Sequence, residues 1–149
     1  AKYDIAKEAL WALSNATSCG TDEQIKFIVN QGFIGPLCEF CKGNNNVKAT
    51  RVAIEAIENV LNVGKKMQEK RSSLRNQYAV FMEESGGIEI LESLKGDMSI
   101  PKETYESIRR IIRQHFDGKE QREEHKRLGQ LKQMFVIPNL NLYDQNIPN

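Results

Sequence analysis

The sequence predicts an all-α solenoid built from stacked units of three helices, and three observations carry that expectation. Apolar residues recur at helical spacing along most of the chain, while the strict alternation of a strand is nearly absent. Glycine and proline cut this pattern into segments that run short, short and long. The order then recurs, because residues 22–40 align without gaps on 76–94 at an offset of 54. A unit of this size cannot bury its own apolar face. It does so jointly with its neighbours, which is why such units stack in rows.

The first element is a long helix over 3–18, with Ala6, Ala9, Leu10 and Leu13 on one apolar face and Gly20 as the stop signal. Thr21 or Asp22 then caps a helix striped by Ile25, Ile28 and Val29, and Gly32 ends it. A short helix covers about 34–41, with Pro36 in its first turn, where a missing N–H costs little. After the turn Gly43-Asn44-Asn45-Asn46, a long helix runs from about Val47 to Val63, with Ala53, Ile54, Ile57, Val60 and Leu61 at helical spacing. In the second block Met82 falls on Ile28, Gly86 on Gly32, Ile88 on Ile34 and Leu91 on Leu37, and the closing long helix spans Pro101–Phe116.

The long helices also echo one another. Leu13-Ser14-Asn15-Ala16 aligns with Ile57-Glu58-Asn59-Val60 at an offset of 44. Treating Lys65–Arg75 as an insertion brings the offset of 54 down to about 43, and a period in the low forties with this helix order marks armadillo repeats. The expected organisation is therefore an orphan long helix 3–18, repeats at 21–64 and 76–116, and a basic insertion 65–75 read as a solvated loop. A charged tail follows at 117–149, partly disordered. The chain opens on Ala1-Lys2, so a piece of a longer protein is expected. The orphan helix should then expose a face made for an absent neighbour, which predicts self-association.

Composition narrows the function classes. A net charge of +1 over 149 residues is a poor footprint for a dedicated nucleic-acid binder. No run approaches the roughly 18 apolar residues of a membrane span, and no secretory signal is visible. Cys38-x-x-Cys41 has no second cysteine pair and no nearby histidine. With Cys19, these read as free thiols of a reducing compartment, the pair as small buried hydrophobes and not as a zinc site. His115 and His125 lack a nucleophile or carboxylate at motif spacing, and Gly86-Gly87 lacks the context of a phosphate loop. The chain is read as a non-enzyme without metal or cofactor.

The chemistry that remains belongs to binding. Glu8, Trp11 and Asn15 stand at i, i+3 and i+7 on one helix face, away from most of the Ala/Leu packing positions. An Asn amide offers donor and acceptor together and can clamp the backbone of an extended peptide. The indole walls the aliphatic stem of a ligand Lys or Arg and attracts its cation, and Glu8 can take the charge. In the next long helix Asn59 occupies the Asn15 position and Glu55 that of Trp11. A core Trp and a capping Asn are the plain alternatives, and periodicity leaves that choice open.

The run Lys7-Glu-Ala-Leu-Trp-Ala-Leu-Ser-Asn-Ala-Thr-Ser-Cys-Gly-Thr-Asp-Glu-Gln-Ile25 closely resembles the late armadillo repeats of importin-α. So do Gln31–Leu37, Ala53–Leu61 and Asn76–Ile88, and the resemblance extends over about residues 4–116 in unbroken order. It implies a right-handed superhelical solenoid at the C-terminal end of a nuclear import adaptor that shuttles between cytoplasm and nucleus. Such an adaptor holds Lys/Arg-rich nuclear localisation signals in a concave groove lined by Trp–Asn pairs. It meets importin-β through an N-terminal segment absent here, and leaves the nucleus with an export receptor of the importin-β class and Ran-GTP.

By the same resemblance, Glu8, Trp11 and Asn15 match the last Trp–Asn pair, at the edge of the minor cargo site, and the last two repeats and tail match the region recognised by the export receptor. Glu55 stands where a full pair would have Trp, and Asp117–Arg127 is charge-balanced where the family often turns strongly acidic. The first departure fits a groove that fades toward its end, and the second counts against recognition of an acidic tail by the export receptor. The repeats of the major cargo site and most of the minor site are absent, so this stretch alone is expected to bind cargo weakly or not at all. The competing readings are an armadillo scaffold outside nuclear import, and nucleic-acid binding by the basic insertion.

Overall fold

The computed structural model describes residues 2–42 and 46–116, together with positions 127, 130, 131, 133 and 134. The turn Gly43–Asn45, His125 and nearly all of the predicted tail lie outside the described residues. Secondary structure among the described residues is helical: α1 (Lys2–Cys19), α2 (Asp22–Asn30), α3 (Ile34–Lys42), α4 (Val47–Arg71), α5 (Gln77–Glu84), α6 (Gly87–Lys95) and α7 (Lys102–His115).

Local chemistry accounts for most of the boundaries. Thr21 and Gln24 form a reciprocal capping box at the start of α2: Gln24 N donates to Thr21 Oγ1 at 3.3 Å and Thr21 N to Gln24 Oε1 at 2.9 Å. Gly32, at φ 84°, takes the left-handed conformation that stops the helix. Asn46 accepts from Lys48 N and Ala49 N to start α4.

The basic segment after Val63 departs from the expected solvated loop. Residues 65–71 are not part of a loop insertion, because α4 runs on through Gly64 to Arg71 and ends at Ser72, a left-handed cap at φ 50°. Gly64, just past the expected helix end at Val63, lies inside the helix, where a Cβ would collide with Asn76 and Tyr78. Lys66 on this extension reaches Asp22 at 3.1 Å, so part of the basic run is paired with the first turn of α2.

The three long helices form a ladder. α4 packs on α1 along one side and on α7 along the other, α3 lies against α1 and α4, and α6 against α3 and α7. Leu37, Ile54, Leu61, Leu91, Ile108 and Ile111 are almost completely buried between these layers, each removal from water contributing about 1.5–3 kcal/mol. Cys38 and Cys41 belong to this core; burial, with Glu39 beside it, pushes the Cys38 thiol up to about 11, and burial followed by the Cys38 neighbour pushes Cys41 up as well. Both are protonated at neutral pH. Among the described residues no cluster of three or more His, Cys, Asp or Glu could hold a metal ion, and no helix is long and apolar enough to cross a membrane.

On α1 the apolar face is divided. Leu10 packs inward, whereas Ala9, Ala12, Leu13 and Ala16 are exposed, and Ser14 and Thr17 are the residues buried beneath the helix. Ser14 and Thr17 are small enough to let α1 approach its neighbours, and the Thr17 hydroxyl donates to the Ser14 carbonyl at 2.7 Å.

His115, at the end of α7, is 5 % exposed, and its Nε2 has no hydrogen-bond partner among the described residues. Burial and then the Lys65 charge lower its pKa, with Glu58 opposing. Its folded pKa therefore lies below the unfolded value of about 6.5, so its contribution to stability is complete above that pH and is lost as pH falls through the folded pKa. Thermal denaturation should show a flat melting temperature from pH 8 to about 6.5 and a decline below, with a slope from this group of at most about 1.4 kcal/mol per pH unit. His115→Gln should remove that component; an unchanged profile would place the acid sensitivity elsewhere.

Candidate functional site

Three elements position the residues of interest. α1 carries Glu8, Trp11 and Asn15 on one stripe, with Glu8 and Asn15 exposed. Trp11 is half-buried, one part of the indole packing on the core. It is thus neither sealed in the interior nor free of it: the packed part fixes the ring, and the remainder can serve as a wall. On α4, Glu55 and Asn59 are both half-buried and share a stripe with Arg51, Glu58 and Asn62. α7 supplies Arg110, which reaches across to α4.

Asn59 does not meet Asn15. Its Nδ2 donates to Thr17 Oγ1 at 3.2 Å and to Ser18 Oγ at 3.5 Å, so it meets α1 two to three residues beyond Asn15. The contact continues through Thr17 to the Ser14 carbonyl. The Asn59 amide nitrogen is thereby committed to the ladder, which leaves its carbonyl oxygen to accept from a ligand's backbone N–H. Asn15, exposed on α1, retains both functions.

The acids are arranged in two ways. Glu8 lies open on α1. Glu55 pairs with Arg51 at 3.1 Å within α4, a pair about half-exposed on each side and worth at most about 1 kcal/mol. Glu58 is held more firmly: Arg110 Nε reaches its Oε1 at 2.5 Å and Nη2 its Oε2 at 3.0 Å, a two-pronged charge-assisted contact. Arg110 Nη2 also donates to Ser107 Oγ at 3.3 Å.

A cleft of about 640 Å³, lined by Glu39, Lys42, Glu89, Asp97 and Thr104 among others, contains none of these side chains, whereas Arg51, Glu55 and Ser107 border a small, open cleft of about 80 Å³ between α4 and α7. The candidate site is accordingly an open stripe across stacked helices, suited to an extended chain more than to an enclosed small molecule.

Against this geometry, similarity to known proteins can be placed. The chain is 40 % identical over 107 residues to importin subunit alpha-B of Dictyostelium discoideum, covering 72 % of this chain and 20 % of that protein. It is 34 % identical over 97 residues to importin subunit alpha-5 of Arabidopsis thaliana, covering 64 % and 18 % respectively. Over 96 residues it is 34 % identical to importin subunit alpha of Saccharomyces cerevisiae, covering 64 % and 17 %. The chain belongs to the importin-α family. It spans about a fifth of the length of these relatives, and a comparison with models of protein families finds no match. The seven helices among the described residues, in their repeating short–short–long order, fit the armadillo solenoid of that family.

Within this importin-α segment, sequence reasoning singled out Glu8, Trp11, Asn15, Glu55 and Asn59 but missed the groups that hold some of them. Thr17 and Ser18 anchor Asn59 and Arg51 covers Glu55, while Glu58, which the sequence did not single out, is covered by Arg110. The Arg51 pair was visible as an i, i+4 spacing. The other contacts join residues 41 to 52 positions apart, and only the fold brings them together.

Proposed function

We propose that this importin-α segment contributes one end of a groove that binds extended Lys/Arg-rich segments, as part of a non-catalytic nuclear import adaptor. The accessible Trp11–Asn15 pair on α1, one turn apart with Glu8 on the same stripe, carries the reading. The indole takes the stem of a basic side chain, the exposed amide holds the ligand backbone, and Glu8 meets the charge. In this reading α2–α4 and α5–α7 are two armadillo repeats and α1 is the long helix of a preceding one, whose neighbour would stack on the exposed Ala9–Leu13 face; a second copy could take that place. The partners are nuclear-localisation-signal cargo, importin-β through a segment outside this chain, and an export receptor of the importin-β class with Ran-GTP at the α5–α7 end. Passage between cytoplasm and nucleus follows from those partners.

Trp11 is the only tryptophan, so its emission is a direct reporter. A Lys/Arg-rich peptide should bind with a Kd on the order of 0.1–1 mM, weak because a single pair is offered, and should change the indole emission. Asn15→Ala should weaken binding about tenfold. Trp11→Ala with Asn15→Ala, followed by anisotropy of a labelled peptide, should weaken it about 30-fold or more, with helical content unchanged. Equal binding by the double variant and the parent would end this assignment.

A further inference from the structure

The α4 stripe presents two carboxylates, and both are already occupied by arginines of the chain itself. Arg51 holds Glu55 from one turn away on the same helix, and Arg110 reaches from α7 to hold Glu58 with both prongs. We propose that Arg110 is a built-in stand-in for a ligand arginine. It fills at Glu58 the place that a basic side chain would take, and so ends the groove's preference for basic ligands at α4. The proposal rests on the peptide-groove reading above and specifies where along the ladder that recognition stops.

The geometry gives the reason. Glu55, Glu58 and Asn59 lie at i, i+3 and i+4, so Glu58 borders the same stripe as the two candidate contacts. The Glu58 side chain is only 17 % exposed, whereas Arg110 is 42 % exposed, so an incoming ligand meets the guanidinium before it meets the carboxylate. Displacement would exchange one two-pronged pair for another and leave Arg110 without its partner, so Glu58 supplies no net affinity for a ligand cation. The second hydrogen bond from Arg110, to Ser107, holds the fork in place. Ligand positions that reach α4 are then selected by the Asn59 carbonyl and by tolerance of a nearby positive charge. They are not selected for lysine or arginine.

The test is a titration of the chain with a Lys/Arg-rich peptide, followed by NMR at the Trp11 indole N–H and the Glu58 carboxylate carbon. In the parent chain the indole signal should move and the Glu58 signal should stay. In Arg110→Gln both should move, and the peptide should bind about three- to tenfold tighter. Arg110→Lys, which keeps the charge but loses the fork, should lie between, and it decides the matter should Arg110→Gln lose its folded spectrum. A Glu58 signal that moves in the parent, or stays still in both variants, overturns the proposal. A moving indole with a silent Glu58 in the variants would leave the groove reading intact and remove Arg110 from it. A silent indole with Glu58 moving only in the variants would do the reverse.

Discussion

Replacing Gly64 with alanine should destabilise the chain by about 3–5 kcal/mol, although alanine is the better helix former. An added Cβ would fall inside the contact shell of Asn76 Oδ1 and lie 2.9 Å from Tyr78 Cβ. Asn76 is 4 % exposed and fully used: Oδ1 accepts from Tyr78 N at 3.0 Å and Ala79 N at 3.3 Å, and Nδ2 donates to the Leu61 carbonyl at 2.9 Å. One side chain thus starts α5 and ties it to α4. Displacing it costs a helix cap, about 1–2 kcal/mol, and strands buried polar groups at about 1–3 kcal/mol. Chemical denaturation measures the loss, and hydrogen exchange should show the Tyr78 and Ala79 amides deprotected. Gly35→Ala is the control, since its Cβ would meet only Ser85 Oγ at 3.8 Å; it should be neutral or slightly stabilising. A Gly64→Ala chain as stable as the parent would mean that α4 and α5 do not approach this closely.

Ile54→Ala should cost a similar amount, about 3–4 kcal/mol, and should be felt along the whole ladder. Ile54 is completely buried in the one helix that packs against α1, α2, α3, α5 and α7. Ile111→Ala removes the same atoms from an equally buried site on α7, at the far side of the ladder from α1. In a linear stack, loss at an outer unit opens that unit first, whereas loss at the centre uncouples both sides. Hydrogen exchange should therefore show protection falling in α1 and α7 alike for Ile54→Ala, but in α7 ahead of α1 for Ile111→Ala. Identical patterns for the two variants would show that the ladder unfolds as a single block.

Much of this architecture was legible because its signals are local. Thr21, Gly32 and the apolar spacing of Ile25 and Val29 mark the ends and the buried face of α2 within a few residues. The helix end expected at about Val63 is displaced for the complementary reason. The charged residues that follow suggest an end there, but α4 continues, and Gly64 within it is set by Asn76, twelve residues on, which approaches only after folding. The charged Lys65–Arg71 run has the composition of a solvated loop and also of a solvated helix, and composition does not separate them. For the candidate site, the i, i+3, i+7 spacing sets Glu8, Trp11 and Asn15 on one face of α1. It could not show that Trp11 is half-buried, that Asn59 leans toward Thr17, or that Arg110 covers Glu58. Each of those depends on how far one helix is shifted along the next.

Glu58 and Asn59 are consecutive, yet they reach in different directions, Asn59 to α1 and Glu58 to α7. Successive helical residues diverge by about 100°, so α4 is tethered from two bearings at one level of its axis. A roll that relaxed one tether would stretch the other. The pitch of the stack at this step is thereby locked, and any strand laid across it must adapt its own spacing to a ruler that does not turn.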